Sequence, residues 1–169
     1  MKRFLADEAA TIEIGRALAA ALVDVPGAVI FLEGDLGAGK TTLARSILRG
    51  LGVRGTVRSP TYTLLEPYEL ELRRILHVDL YRIADPDELD QLGLNDYPSG
   101  ETLWLVEWPQ RGISHLPAAD LEIRLQADAA GRNLEIAART ALGRAIEAAF
   151  SAQIGRIQGR LQGFTLTNR

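Results

Sequence analysis

An α/β fold is what this sequence predicts: a mostly parallel central sheet flanked by helices, with additional antiparallel strands. Three observations carry that reading. The short apolar, β-branched run Ala28-Val29-Ile30-Phe31-Leu32 leads into the glycine-rich stretch Gly34-Asp35-Leu36-Gly37-Ala38-Gly39-Lys40-Thr41-Thr42. The residues that follow, Thr42 to Arg49, have helical spacing and end near Gly50 and Gly52. Two further apolar runs, Ile75-Leu76-His77-Val78-Asp79 and Leu103-Trp104-Leu105-Val106-Glu107, each close on an acid. Buried strands joined through a glycine loop and a helix are the signature of a parallel sheet.

The elements follow in order. Arg3-Phe4-Leu5 reads as a short edge strand. Asp7 is placed to cap a helix reaching about Val25, with Ile14, Leu18, Ala21, Leu22 and Val25 on one face. Pro26-Gly27 breaks it. After the glycine loop and its helix, Arg58 to Thr63 reads as a loop. Thr63–Tyr68 and Arg74–Asp79 read as strands around the polar turn Glu69 to Arg73. Asp85-Pro86-Asp87-Glu88-Leu89 opens a short helix, where proline is tolerated in the first turn. Thr102–Glu107 is another buried strand. Leu121–Leu125 and Leu134–Ala138 are late strands with Ala129-Ala130-Gly131 in their turn, and a helix from Thr140 to about Phe150 closes the fold.

The chain has 169 residues, of which 47% are hydrophobic and 24% charged, the composition of a globular protein with a substantial core. Residues 1–150 read as one domain and 151–169 as a C-terminal extension, flexible or in contact with a partner. In it Gly155, Gly159 and Gly163 recur beside Arg156 and Arg160, and no acid follows Glu147. A net charge of −3 argues against a chain that binds nucleic acid through its overall charge, and leaves room for a local basic face. Arg45, Arg49, Arg54 and Arg58 supply one after the glycine loop. The absence of cysteine excludes disulfides, cysteine zinc sites and thiol catalysis. No signal-peptide run and no membrane-spanning stretch stands out, so the expected location is the cytoplasm.

Gly34 to Thr41 fits G-x-x-x-x-G-K-[ST], the phosphate loop, or Walker A motif, of a P-loop NTPase-like domain. Glycines let backbone N–H groups close on phosphate oxygens without Cβ atoms in the way. The nucleotide would lie against Asp35, Leu36, Gly37, Ala38, Gly39, Lys40, Thr41 and Thr42. Lys40 reaches the outer phosphates, Thr41 offers a hydroxyl to Mg²⁺, and the following helix presents its positive end. A nucleotide-hydrolysing site also needs a carboxylate near the metal at the end of a buried strand, and Asp79 and Glu107 both qualify. Ser59-Pro60-Thr61 brings two hydroxyls into a loop whose residues alone read as an ordinary turn with local hydrogen bonds, and which in a nucleotide switch would sense a terminal phosphate. His77 falls on the same side of its strand as Asp79, where it could orient an acid or a water or serve as a structural histidine. Trp108 could cover the nucleotide or stack on a partner, and Arg82 could reach a phosphate. Thr11 and Gly15 are weak candidates for reading the base.

Four blocks in order resemble the TsaE (YjeE) family of bacterial tRNA-modification ATPases: the glycine loop, Ser59-Pro60-Thr61-Tyr62-Thr63-Leu64, His77-Val78-Asp79-Leu80-Tyr81-Arg82, and Val106-Glu107-Trp108-Pro109. The resemblance spans about Asp7 to the region of Arg132. It implies a small P-loop fold, ATP and Mg²⁺ as cofactors, and slow hydrolysis stimulated by TsaD and TsaB. The implied setting is formation of threonylcarbamoyladenosine beside the tRNA anticodon, with tRNA met through the complex. By position it makes Lys40, Asp79 and Glu107 catalytic, Thr41, Glu107 and Asp79 metal-serving, and Trp108 adjacent to the nucleotide. The residues alone also admit a small-molecule kinase with Asp79 as base. A GTP switch is disfavoured, because no Asn-Lys-x-Asp segment is present to read guanine.

Overall fold

The structure, a computed structural model, describes residues 1–166, with side chains through Ile157. Seven strands form one sheet: β1 (Lys2–Leu5), β2 (Ala28–Glu33), β3 (Leu65–Leu70), β4 (Arg73–Asp79), β5 (Thr102–Glu107), β6 (Leu121–Asp128) and β7 (Gly131–Ala138). Their order is β1-β7-β6-β2-β5-β4-β3. The four central strands β6, β2, β5 and β4 run parallel, while β3, β7 and β1 join antiparallel. The α/β class with a parallel centre and antiparallel edges is therefore the observed one.

The helices α1 (Glu8–Ala21), α2 (Lys40–Gly50) and α3 (Ala141–Leu166) all lie on one face. Alternation along the strands explains how both faces are filled. Ile30 and Leu32 of β2 point into the helical layer, and Val29 and Phe31 point to the other side. That second face is covered by short 3-10 turns at 86–91, 94–96, 109–111 and 113–115, of which only the first was expected as a helix. On α2, Leu43, Ala44, Ile47 and Leu48 are buried while Arg45 and Arg49 face outward. Those two arginines bind the carbonyls of Val57, Val53 and Gly55, fastening the chain that leads to Ser59 against the helix.

Three boundaries differ from the sequence reading. Asp7 does cap α1, accepting from the Ala10 N–H at 2.8 Å, but the helix stops at Ala21 rather than Val25. The Arg73 guanidinium captures the carbonyls of Leu22 and Val23 from across the fold, holding Leu22 to Asp24 as a turn. Strand β3 begins at Leu65 rather than Thr63, because Leu64 sits at φ 65° and breaks the extended run. The hairpin turn is then only Glu71-Leu72. Finally, the last helix does not stop near Phe150. Ile146, Phe150 and Ile154 form one buried stripe at four-residue spacing, and α3 continues through Leu166. The side-chain environment of Arg160 lies outside the described residues. Among the described residues no helix is long and apolar enough to cross a membrane.

Candidate functional site

Register builds the site. Leu32 pairs with Glu107, and Glu107 with Asp79, so the C-terminal ends of β2, β5 and β4 stand side by side. The glycine loop leaves the first of these ends, and the two acids close the others. In open α/β sheets this is the edge where ligands bind. A cavity of about 290 Å³ opens there.

The loop itself needs its glycines. Gly34, Gly37 and Gly39 have φ of 140°, 80° and 105°. Gly39 is the N-cap of α2, so the loop turns directly into the positive end of that helix. Leu36, Gly37, Gly39, Lys40, Thr41 and Thr42 line the cavity, as do Asp79, Glu107 and Trp108. Of the loop residues named from sequence, the Ala38 side chain is buried in the core, and Asp35 lines a second hollow with Trp108.

Lys40 is buried, at 5% exposure. Its ammonium donates to the carbonyls of Gly34 and Asp35 at 2.7 and 2.8 Å and lies 3.8 Å below the Trp108 ring. Desolvation lowers its pKa from the usual lysine value, while the charges of Glu107, Asp79 and Asp35 work in the opposite direction. Trp108 reaches this position because its own backbone is left-handed, φ 58°, a turn that swings the indole over the loop as β5 ends. The ring also meets Tyr81, 5.1 Å away between centroids.

Each acid has a distinct set of partners. Glu107 is 1% exposed; Oε2 accepts from the Thr41 hydroxyl at 2.8 Å, and Oε1 lies 2.9 Å from His77 Nε2. Asp79 is 3% exposed; Oδ2 accepts from Thr61 at 2.6 Å and Ser59 at 3.2 Å, and Oδ1 accepts from the Tyr81 N–H at 3.0 Å. The Ser59-Pro60-Thr61 loop is thus tied to the acid at the end of β4, and Thr61 itself lines the cavity.

Other expected residues go elsewhere. Arg82 stacks over the exposed Tyr62 ring at 4.2 Å and does not line the cavity. Gly15 is enclosed by the α1–α2 contact: a Cβ there would overlap Ser46, so no ligand reaches it. Thr11 accepts a hydrogen bond from Arg132 Nη1 at 2.9 Å. Arg132 was not singled out by sequence. It projects from the start of β7, and its guanidinium would lie 3.1 Å from a Cβ on Gly39. No local motif marks it, because its place beside the loop depends on pairing across the sheet.

Mg²⁺ retains several waters and takes one or two carboxylates with substrate phosphates, rather than an all-protein cage. Thr41, Glu107 and Asp79 supply that kind of donor set at the cavity wall. No denser cluster of three or more acid or histidine ligands exists among the described residues. These residues fit the ion.

The fold and this edge define an α/β protein with a phosphate-loop sequence at the C-terminal end of a parallel sheet. The family model "Threonylcarbamoyl adenosine biosynthesis protein TsaE" matches residues 5–134. A curated relative of that description from Haemophilus influenzae is 41% identical over 154 residues, covering 89% of this chain and 98% of that protein. Another, from Nostoc, is 37% identical over 140 residues, covering 80% and 84%. The crystal structure of YdiB from Bacillus subtilis superposes with a TM-score of 0.75 at 29% identity, covering 90% of this chain and 94% of that one. The chain belongs to the TsaE family.

One expected result follows from the aromatic geometry. Nucleotide in the cavity should change the fluorescence of Trp108, whereas Trp104, 2% exposed with its indole N–H bound to the Tyr97 carbonyl at 3.1 Å, should respond less. Trp104→Phe and Trp108→Phe variants isolate the two signals. A response to ATP retained in full by Trp108→Phe would contradict the placement.

Proposed function

We propose that this protein is a Mg²⁺-dependent ATPase serving tRNA threonylcarbamoyladenosine formation, and that it supports turnover of a TsaD–TsaB complex in the cytoplasm. The observation that carries the reading is the convergence of Lys40, Thr41, Glu107 and Asp79 on one cavity at the sheet edge. Family membership and the printed names of the relatives supply the process. A kinase reading with Asp79 as base finds less support, because the family model and the relatives' printed names point to tRNA threonylcarbamoyladenosine biosynthesis.

In this reading the loop N–H groups and the start of α2 bind the phosphates. Lys40 exchanges the carbonyls of Gly34 and Asp35 for a phosphoryl oxygen. Thr41 and Glu107 would hold Mg²⁺, which would neutralise charge on the phosphates. Asp79, steadied by Thr61 and Ser59, orients the attacking water. Phosphoryl transfer depends chiefly on such positioning and charge stabilisation, so an incomplete site is slow until a partner completes it.

The test is a reconstituted reaction with TsaB, TsaD and tRNA that follows inorganic phosphate and modified tRNA together. Slow hydrolysis by the isolated protein, faster hydrolysis with the partners, and multi-turnover modification that requires this chain are expected. Unchanged hydrolysis with the partners and unimpaired modification without this chain would overturn the proposal.

A further inference from the structure

The seam between β4 and β5 holds a buried histidine that the chemistry above leaves unused. His77 is fully buried, at 0% exposure, between Ile75 and Asp79 on the face of the sheet that carries the helices. Leu105 of β5, its partner in register on one side, is buried and apolar, and Glu66 of β3, its partner on the other side, is half-buried. Nε2 lies 2.9 Å from Glu107 Oε1, and Nδ1 has no hydrogen-bond partner among the described residues. A buried imidazole with one bare nitrogen is less stable than an apolar side chain of similar size in the same place. Stability does not explain the histidine; its bond to Glu107 does.

That carboxylate has one oxygen on His77 and the other on Thr41, so a line His77–Glu107–Thr41 runs from the interior to the cavity wall. A hydrogen bond accepted at Glu107 Oε1 requires the proton on Nε2 and leaves Nδ1 bare. We infer that His77 is a positioning residue for the Mg²⁺ seat. Donating from Nε2, it fixes the rotation of the Glu107 carboxylate so that Oε2 meets the Thr41 hydroxyl at the cavity. Without the donor, Oε1 is left buried and unpaired, and the carboxylate is free to turn toward the Lys40 ammonium that already feels its charge. Groups that orient a metal-serving side chain commonly change metal affinity by about 10–100-fold when removed. The inference rests on the Mg²⁺–nucleotide reading of the site.

Three proteins test it: wild type, His77→Leu, which fills the space without a donor, and His77→Gln, whose amide N–H can occupy the place of Nε2. ADP binding is measured by calorimetry in EDTA and across a Mg²⁺ titration. His77→Leu should bind ADP in EDTA within about twofold of wild type, yet need roughly tenfold more Mg²⁺ for its half-maximal effect, and His77→Gln should recover most of that loss. A wild-type Mg²⁺ midpoint in His77→Leu, or equal losses in both variants, would reduce His77 to packing. Nitrogen-15 NMR of the wild-type imidazole gives a readout that needs no variant to fold and no ligand to bind. The Nε2–H tautomer is expected, and an Nδ1–H tautomer overturns the inference. If wild type itself shows no Mg²⁺-dependent nucleotide binding, the function proposed above fails, and the tautomer still decides whether His77 holds Glu107.

Discussion

Replacing Lys40 with alanine should lower ATP hydrolysis by at least about 10²-fold, the scale of losing one preorganised charge donor from a reacting site. Among the described residues the lysine ammonium is the only side-chain cation lining the cavity, and the acids Glu107 and Asp79 stand beside it. Its loss therefore removes positive charge from a wall that otherwise repels phosphate. The fold should survive. The ammonium contributes two hydrogen bonds to carbonyls of its own loop and stacks under Trp108, but it joins no two strands. Phosphate release over a time course, read beside circular dichroism and a urea melt of the same preparation, separates the two effects. Wild-type turnover in a folded Lys40→Ala protein would remove the glycine loop from the chemistry.

Gly34→Ala should instead damage the fold itself. Gly34 holds φ 140°, and a Cβ there would overlap the Leu125 carbonyl oxygen on β6, a backbone atom that cannot rotate away. Strain of this backbone kind and a clash inside the sheet together should cost about 3 kcal/mol or more. With a denaturant slope of about 1–3 kcal/mol/M, the urea midpoint should fall by at least about 1 M. Gly37→Ala is the control: φ is 80°, but nothing lies within 4 Å of the added methyl. It should lose only the left-handed penalty of about 1–2 kcal/mol. Equal midpoints for the two variants would show that the Leu125 contact does not constrain the loop.

The same contrast between local and distant causes describes how far the sequence could be read. The phosphate-loop pattern, the strand before it, the helix after it and the acids closing β4 and β5 are local features, set by spacing, apolar periodicity and glycine. They placed Lys40, Thr41, Asp79 and Glu107 at strand or helix ends without knowledge of the sheet. Boundaries set from outside an element were not legible. α1 stops short because Arg73 captures the carbonyls of Leu22 and Val23, and β3 starts late because Leu64 turns left-handed. The last helix outruns its expected end because Ile154 finds the core, a contact that outweighs the helix cost of Gly155.

By itself the sequence determined a strand–glycine loop–helix unit, acids at two later strand ends, and membership of a family with that ordered set of motifs. Only the tertiary structure decided which polar groups meet. Register set Asp79 beside Glu107, and pairing across the fold brought Ser59 and Thr61 to Asp79, His77 to Glu107 and Arg132 to Thr11. The physical reason is that a side chain's periodicity is fixed by its neighbours in the chain. Its hydrogen-bond partner is fixed by strand order and register, which arise when the whole sheet buries its two faces at once.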